Sequence, residues 1–202
     1  MRRFRRLPRT FFSRPTLTVA EELIGKHLVC ANKTTPLVAR IVEVEAYVGE
    51  DDPASHAAPG LTERNTIMYG PAGHAYIYLI YGMYNCLNVV TEQKGFPAAI
   101  LLRAGEPVEG TAFMRKRSGK LAEAKMLSGP GRLCRAMGLT TRESGMDMCG
   151  DRIWIEDRGD PKSKIVRTPR IGISKATDRL WRLCDPESLS LSQRIATKEA
   201  GK

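Results

Sequence analysis

The run Leu37–Val48 reads LVARIVEVEAYV and places two carboxylates and a phenol at alternate positions. In an extended strand, residues i, i+2 and i+4 share a face. Glu43, Glu45 and Tyr47 therefore project together, opposite Val42, Val44, Ala46 and Val48. Such a face is ordinarily solvated polar surface. Against the wall of a cleft, partial burial raises a carboxylate's pKa and suits it to general base work. The pattern is compatible with both.

All six tyrosines, Tyr47, Tyr69, Tyr76, Tyr78, Tyr81 and Tyr84, lie between residues 47 and 84. A phenol ring offers a flat π face, and stacking a nucleobase on such a face is worth about 1–3 kcal/mol. Tyrosine is also a good residue for a half-buried sheet. For one tyrosine the packing reading is the ordinary one; for six beside basic flanks the two stand level. Alternation puts His74, Tyr76 and Tyr78 on one face, with Tyr81 at a tip before Gly82-Met83. A tyrosine there is either a satisfied loop aromatic or a wedge to push between base steps.

Other chemistries are poorly served. The five cysteines contain no CxxC and the three histidines no HxxxH pair, so neither a disulfide framework nor a structural zinc site is expected. The H-x-E…P-C-x-x-C pattern of zinc deaminases is absent. No lysine lies in 34–93, so the tyrosine-rich stretch offers no amine nucleophile. No apolar run approaches the roughly 20 residues of a membrane span. Cys86 reads as a small buried hydrophobe, and His27 and His74 as structural or surface residues.

These residues need a frame. A capping box at Thr18–Glu21 and a stop at Gly25 predict a helix over 18–25. Strands are expected at 27–31, 37–48, 98–103, 153–156 and 170–174. Residues 74–81 and 85–91 form a hairpin around Gly82. Residues 49–73 are rich in Gly, Pro, Asp and Ser and read as an irregular functional loop. A helix with Pro107 in its first turn is expected over 106–117, and a second one from about Pro130 to Met137. The order predicts an α+β fold: a single compact domain with a curved, mainly antiparallel sheet, flanking helices and a protruding β-hairpin. A flexible basic arm is expected over 1–15, the folded domain over 16–185 and a loose polar tail over 186–202.

The chain of 202 residues carries a formal net charge of +10. Residues 1–15 hold six arginines and no acid, the middle is mildly acidic, and the remainder is basic. A basic protein of this size attracts polyanions, nucleic acid first and an anionic membrane second, although an unpartnered basic surface would look the same.

The motifs resemble those of the alkyladenine (3-methyladenine) DNA glycosylase family. The likeness is carried by Arg40-Ile-Val-Glu-Val-Glu45-Ala-Tyr47, His56, Arg64-Asn65, and Gly73-His-Ala-Tyr-Ile-Tyr78-Leu-Ile-Tyr81-Gly-Met-Tyr-Asn-Cys-Leu-Asn88. It continues in Ala99-Ile-Leu-Leu-Arg103, Leu127-Ser-Gly-Pro-Gly-Arg132 and Pro169-Arg-Ile-Gly-Ile, collinear from about residue 17 to 183. The resemblance implies excision of damaged purines without metal or organic cofactor. It implies Glu45 as the base that activates water for attack at C1′ of a flipped nucleotide. Arg103 and the backbone at Ile153 would help position that water. Tyr47, His56 and Tyr78 would hold the flipped base, and Asn88 would exclude the guanine 2-amino group. Tyr81, with Met83 beside it, would fill the gap left in the duplex. Arg64 and Arg132 are expected at the DNA backbone, and the helix beginning near Pro130 either points its N-terminus and the Gly129 N–H at a phosphate or is an ordinary capped helix.

The expected function is a monofunctional glycosylase for 3-methyladenine, 7-methylguanine, hypoxanthine and ethenoadenine. The expected partner is duplex DNA containing damaged purines, bound by a monomer and with no membrane. Location would be cytoplasmic, on the nucleoid, in a bacterium, or nuclear in a eukaryote. The alternative is a non-enzymatic single-stranded nucleic-acid-binding module, and the Glu43–Glu45 face argues against it, since anions near phosphates weaken passive binding.

Overall fold

The structure, a computed structural model, describes residues 4–195. It has the expected α+β architecture, and every ladder in its sheet is antiparallel. The strands are β1 (Arg5–Arg6), β2 (His27–Cys30), β3 (Leu37–Val48), β4 (Ala75–Ile80), β5 (Tyr84–Val90), β6 (Ala98–Glu109), β7 (Ile153–Asp157), β8 (Val166–Thr168) and β9 (Arg182–Cys184). The helices are α1 (Arg9–Phe12), α2 (Thr16–Leu23), α3 (Thr111–Ser118) and α4 (Pro130–Met137). The main sheet runs β1-β7-β2-β3-β6-β5-β4, with β9 on β3 and β8 on β9.

β3 is the central element. One edge pairs with β6 from Val38↔Glu109 to Val48↔Ala98. The other edge pairs with β2 through Leu37–Arg40, then with β9 through Glu43–Glu45. The register shifts around Glu43, where one partner gives way to the next. The side chains of Ile41, Val44 and Ala46 join the main core with Leu28, Ile100, Leu102 and Leu183. The opposite face of the same strand carries the carboxylates.

Several local expectations fail for identifiable reasons. The first full helix runs over Thr16–Leu23, not 18–25, and has no side-chain cap of its own. Its first N–H and the Thr16 hydroxyl donate instead to Glu92 at 2.6 and 2.8 Å, a long-range acceptor that local pattern cannot reveal. Pro107 begins no helix. It extends β6 to Glu109, opposite Ala39, along a stretch where only the β3 edge of β6 is paired, so its missing N–H is tolerated. The helix begins after Gly110, whose φ is +70°. Residues 170–174 form no strand; β8 and β9 flank them, and Arg170 is buried.

The expected flexible arm is packed from Phe4 onward. β1 pairs with β7, Leu7 and Phe12 lie in the core, and Arg9 bonds Asp147 at 2.6 Å. The apolar residues between the arginines decide this, because burying them outweighs repulsion among charges of which Arg6, Arg9 and Arg14 find carboxylate partners. The tail is likewise packed as far as the described residues extend, with Ser190 and Leu191 buried. Residues 1–3 and 196–202 of the two segments lie outside the described residues.

Candidate active site

A cavity of about 480 Å³ opens between the β4–β5 hairpin, β6, the N-terminus of α4 and residues 171–173. That size is within the roughly 300–1,000 Å³ of small-ligand sites. Tyr47, His56, Tyr78, Asn88, Arg103, Tyr81, Gly129 and Arg132 all line it, as the sequence reading groups them. Glu45 does not. It is fully buried directly behind Tyr47 and Arg103.

Three donors hold the Glu45 carboxylate. The Tyr47 hydroxyl donates to Oε2 at 2.9 Å, Arg103 Nη1 donates to Oε2 at 3.2 Å, and the Ile171 N–H donates to Oε1 at 2.7 Å. A carboxylate has about four lone-pair sites, so one acceptor position on Oε1 has no donor among the described residues. The backbone group beside the carboxylate is thus that of Ile171, and Ile153, expected to help position the water, is not there. Ile153 lies in β7, paired with Cys30 of β2. The Pro169-Arg-Ile-Gly-Ile motif carried the signal, but its reading as a strand hid it.

Arg103 also donates through Nε to Glu43 Oε1 at 3.1 Å. Burial works against the guanidinium charge, but Glu45 and Glu43 outweigh it and raise its pKa above that of ordinary arginine. Glu43 is fully buried too, and accepts from Arg182 Nε at 2.7 Å. Two carboxylates and two guanidiniums form one compact buried set, so neither acid is an unpaired charge.

Tyr47 is fixed from behind. Arg170 packs its guanidinium 4.7 Å from the Tyr47 ring centre and 5.0 Å from that of Trp181. The same guanidinium is bidentate to fully buried Asp52, at 2.5 and 2.8 Å, and donates to the Ala46 carbonyl. The sequence reading missed Asp52 and Arg170 because 118 residues separate them. Burial, then Glu45, pushes the Tyr47 hydroxyl well above the usual phenol range, and burial does the same to Tyr78. Both are neutral donors at neutral pH.

The loop after β3 presents His56. Asn65 pins that loop, donating to the His56 and Gly60 carbonyls at 2.8 Å each and accepting from the Thr62 N–H at 2.7 Å. The His56 ring meets Tyr78 edge to face, with centres 4.5 Å apart, and its Nδ1 bonds the Tyr76 hydroxyl at 2.9 Å. Burial, then the Arg64 guanidinium, pushes His56 down to about 4, so the imidazole is neutral at pH 7. Arg64 itself is exposed and lies 5.3 Å from the Tyr78 ring centre, at the edge of the aromatic cluster. Asn88 donates to the Tyr76 and Cys86 carbonyls at 3.0 and 3.3 Å, which fixes its amide in the cavity wall. Burial raises the Cys86 thiol to about 11, leaving it protonated and no nucleophile.

The hairpin tip stands in solvent. Tyr81 is 80% exposed and Met83 65%. Tyr81 and Gly82 both have positive φ, +52° and +67°, and the Met83 N–H closes the turn on the Ile80 carbonyl at 3.2 Å. An exposed tyrosine held in a left-handed conformation is unusual enough to point to a function. Behind it, Tyr84 packs on Gly131, where a Cβ would approach the ring to 3.0 Å. Gly129 turns its N–H back to the Leu127 carbonyl at 3.2 Å, and Arg132 Nε donates to the Ser128 carbonyl. Among the described residues no cluster of three or more metal-ligating side chains occurs, and no helix is long and apolar enough to cross a membrane.

Residues 10–188 match the family model described as methylpurine-DNA glycosylase. The chain is 50% identical over 193 residues to a protein of Methanocella arvoryzae, covering 93% of this chain and 96% of that protein. It is 47% identical over 182 residues to one of Chlorobaculum tepidum, covering 88% and 86%. It is 45% identical over 201 residues to one of Alkaliphilus oremlandii, covering 94% and 100%. All three are named, provisionally, as 3-methyladenine DNA glycosylases.

Proposed function

Because the chain belongs to the methylpurine-DNA glycosylase family, we propose that it flips damaged purines out of duplex DNA and hydrolyses their N-glycosidic bonds, leaving an intact abasic site. The observation that carries this reading is the buried Glu45 carboxylate, held by three donors, Tyr47, Arg103 and Ile171, that themselves line an aromatic cavity, with one acceptor position given no donor among the described residues.

A base within a duplex cannot be approached in line at C1′, so it must be extruded at a cost of a few kcal/mol. Tyr81 fills the vacated space with Met83 beside it, and stacking against Tyr47 and Tyr78 offsets part of the cost. Water donates a proton to the open site on Glu45 and its oxygen bonds to C1′. The C1′–N bond breaks and its electron pair leaves with the base. Positive charge develops on the sugar as the base departs, and the nearby carboxylate stabilises it. Arg103 and the Ile171 N–H orient that carboxylate, and Arg103 borders the path of the water.

Substrates in this reading are 3-methyladenine, 7-methylguanine, hypoxanthine and ethenoadenine. Alkylated cationic purines leave readily and are drawn to the electron-rich tyrosine faces. Neutral lesions rely more on hydrogen bonds to the departing ring, for which neutral His56 is suited. Asn88 meets the guanine 2-amino group and disfavours the normal base. Arg64 and Arg132, both exposed near the cavity, and the backbone at Gly129 contact phosphates. The protein acts as a monomer.

The test is incubation with duplexes containing each lesion, analysed with and without hot alkali. The expected result is strand breakage only after alkali, because no lysine lies in 34–93, the stretch that carries Glu45 and the tyrosines. Breakage without alkali would make the enzyme a lyase. No breakage on any lesion, with binding to single strands retained, would favour a passive binding module.

A further inference from the structure

The segment Ser188–Gln193 begins where the family match ends, at residue 188, and runs on beyond it. It closes over the buried carboxylates from behind. Ser192 donates twice to Glu43, from its N–H to Oε2 at 2.6 Å and from its hydroxyl to Oε1 at 2.6 Å. The same hydroxyl oxygen accepts from Arg103 Nε and Nη2 at 3.4 and 3.3 Å. Arg182 Nη2 donates to the Gln193 carbonyl at 2.7 Å, while its Nε holds Glu43. One residue earlier, the Leu191 carbonyl accepts from Ser128 Oγ at 2.8 Å, and Ser128 lines the cavity. The Leu191 side chain packs with Val42, Ala104 and Cys184.

We infer that Ser192 is a positioning residue for the hydrolysis: its hydroxyl, shared between Glu43 and Arg103, fixes the guanidinium that Arg103 presents to Glu45. The inference rests on the proposed role of Glu45. Its physical basis is the geometry of a planar fork. Arg103 Nε and Nη2 lie along one edge of the guanidinium and Nη1 at the remaining corner. Glu43 and Ser192 occupy that first edge, so Nη1 is left to face Glu45 Oε2 with no rotational freedom. Without the hydroxyl, Arg103 keeps its charge and its bond to Glu43, but Nε and Nη2 lose their shared acceptor. Small misplacement of a catalytic group costs rate far more than it costs folding.

The test compares Ser192→Ala, Ser192→Thr and Leu191→Ala in the full chain. Three quantities are read: the single-turnover excision rate on a hypoxanthine duplex, the Kd for a duplex with an abasic analogue, and Tm. Loss of the hydroxyl's bonds to two charged groups, Glu43 and Arg103, predicts a rate about tenfold or more lower for Ser192→Ala. Its Kd should stay within about twofold, because Ser192 does not line the cavity. Ser192→Thr retains the hydroxyl and should recover most of the rate. Leu191→Ala removes packing without touching Glu43, so it should lower Tm with little change in rate per folded molecule. Equal rates for wild type and Ser192→Ala would overturn the inference. So would a loss in Leu191→Ala as large as that in Ser192→Ala, which would reduce the segment to packing. Should Ser192→Ala melt below the assay temperature, Ser192→Thr against Leu191→Ala still decides. If the wild-type protein excises nothing, it is the role of Glu45 that fails, which is a separate outcome.

Discussion

His56 shows how one residue ties recognition to stability. Its ring is neutral in the folded protein because burial and Arg64 push its pKa down to about 4, whereas an unfolded histidine takes a proton near 6.5. Between those values the unfolded chain binds more protons, so stability rises with pH across that window. The contribution of a neutral His56 is whole above about pH 6.5 and is lost as pH falls toward about 4. Replacing it with a side chain that does not titrate should flatten this dependence. Tm of wild type and His56→Gln, followed from pH 7.5 to 4.5, should converge or cross as the solution is acidified. Parallel curves would mean that His56 binds its proton equally well in the folded and unfolded chain, and would contradict the downward shift. The residue scale is also where the sequence was most legible. Glu43, Glu45 and Tyr47 stand on one face because a strand alternates, and that fact needs no tertiary knowledge. What pairs with them does. Ile171, Arg170 and Ser192 reach the site from far along the chain, and a local period carries no information about them.

At the level of elements, the β4–β5 hairpin has two ends with different duties. Its base carries Tyr76, Tyr78 and Asn88 into the cavity wall. Its tip presents Tyr81 on a turn of two positive-φ residues, braced where Tyr84 meets Gly131. In the proposed reading, a wedge so placed serves the extruded state more than encounter with DNA. Tyr81→Ser should therefore lower the single-turnover excision rate about tenfold or more, by forfeiting the 1–3 kcal/mol that one aromatic stack supplies. Affinity for undamaged duplex should change by less than about threefold, since phosphate contacts dominate it. Equal losses in rate and affinity would make Tyr81 a general DNA contact. The hairpin was readable from alternation and Gly82. Pro107 misled because proline is common both in first helical turns and on unpaired strand edges, and only the partner strand tells them apart.

The whole molecule places its site at the junction of a sheet and three irregular segments. β3 supplies the carboxylates, and the segments 49–73, 169–181 and 188–193 surround them. Neither the ordering of the N-terminal arm nor that of the tail was legible from charge, because six arginines without acids look like a solvated end until the distant partners of three of them are seen. Asp151, Asp147 and Glu22 take Arg6, Arg9 and Arg14 respectively, each from elsewhere in the chain. Three of the six charges at that end are thereby paired at the surface of the fold, and in the proposed reading it is Arg64 and Arg132 at the cavity rim that meet DNA.

All of this converges on one buried oxygen. The most direct measurement is single-turnover excision of hypoxanthine by wild type and Glu45→Gln, with affinity for an abasic-analogue duplex measured alongside. Glutamine keeps the size and can still accept from Tyr47 and Arg103, but it cannot take a proton from water. The account predicts loss of at least about a hundredfold in rate, the scale of general base catalysis, with affinity within about threefold of wild type. Excision by Glu45→Gln at a rate near that of wild type would contradict it.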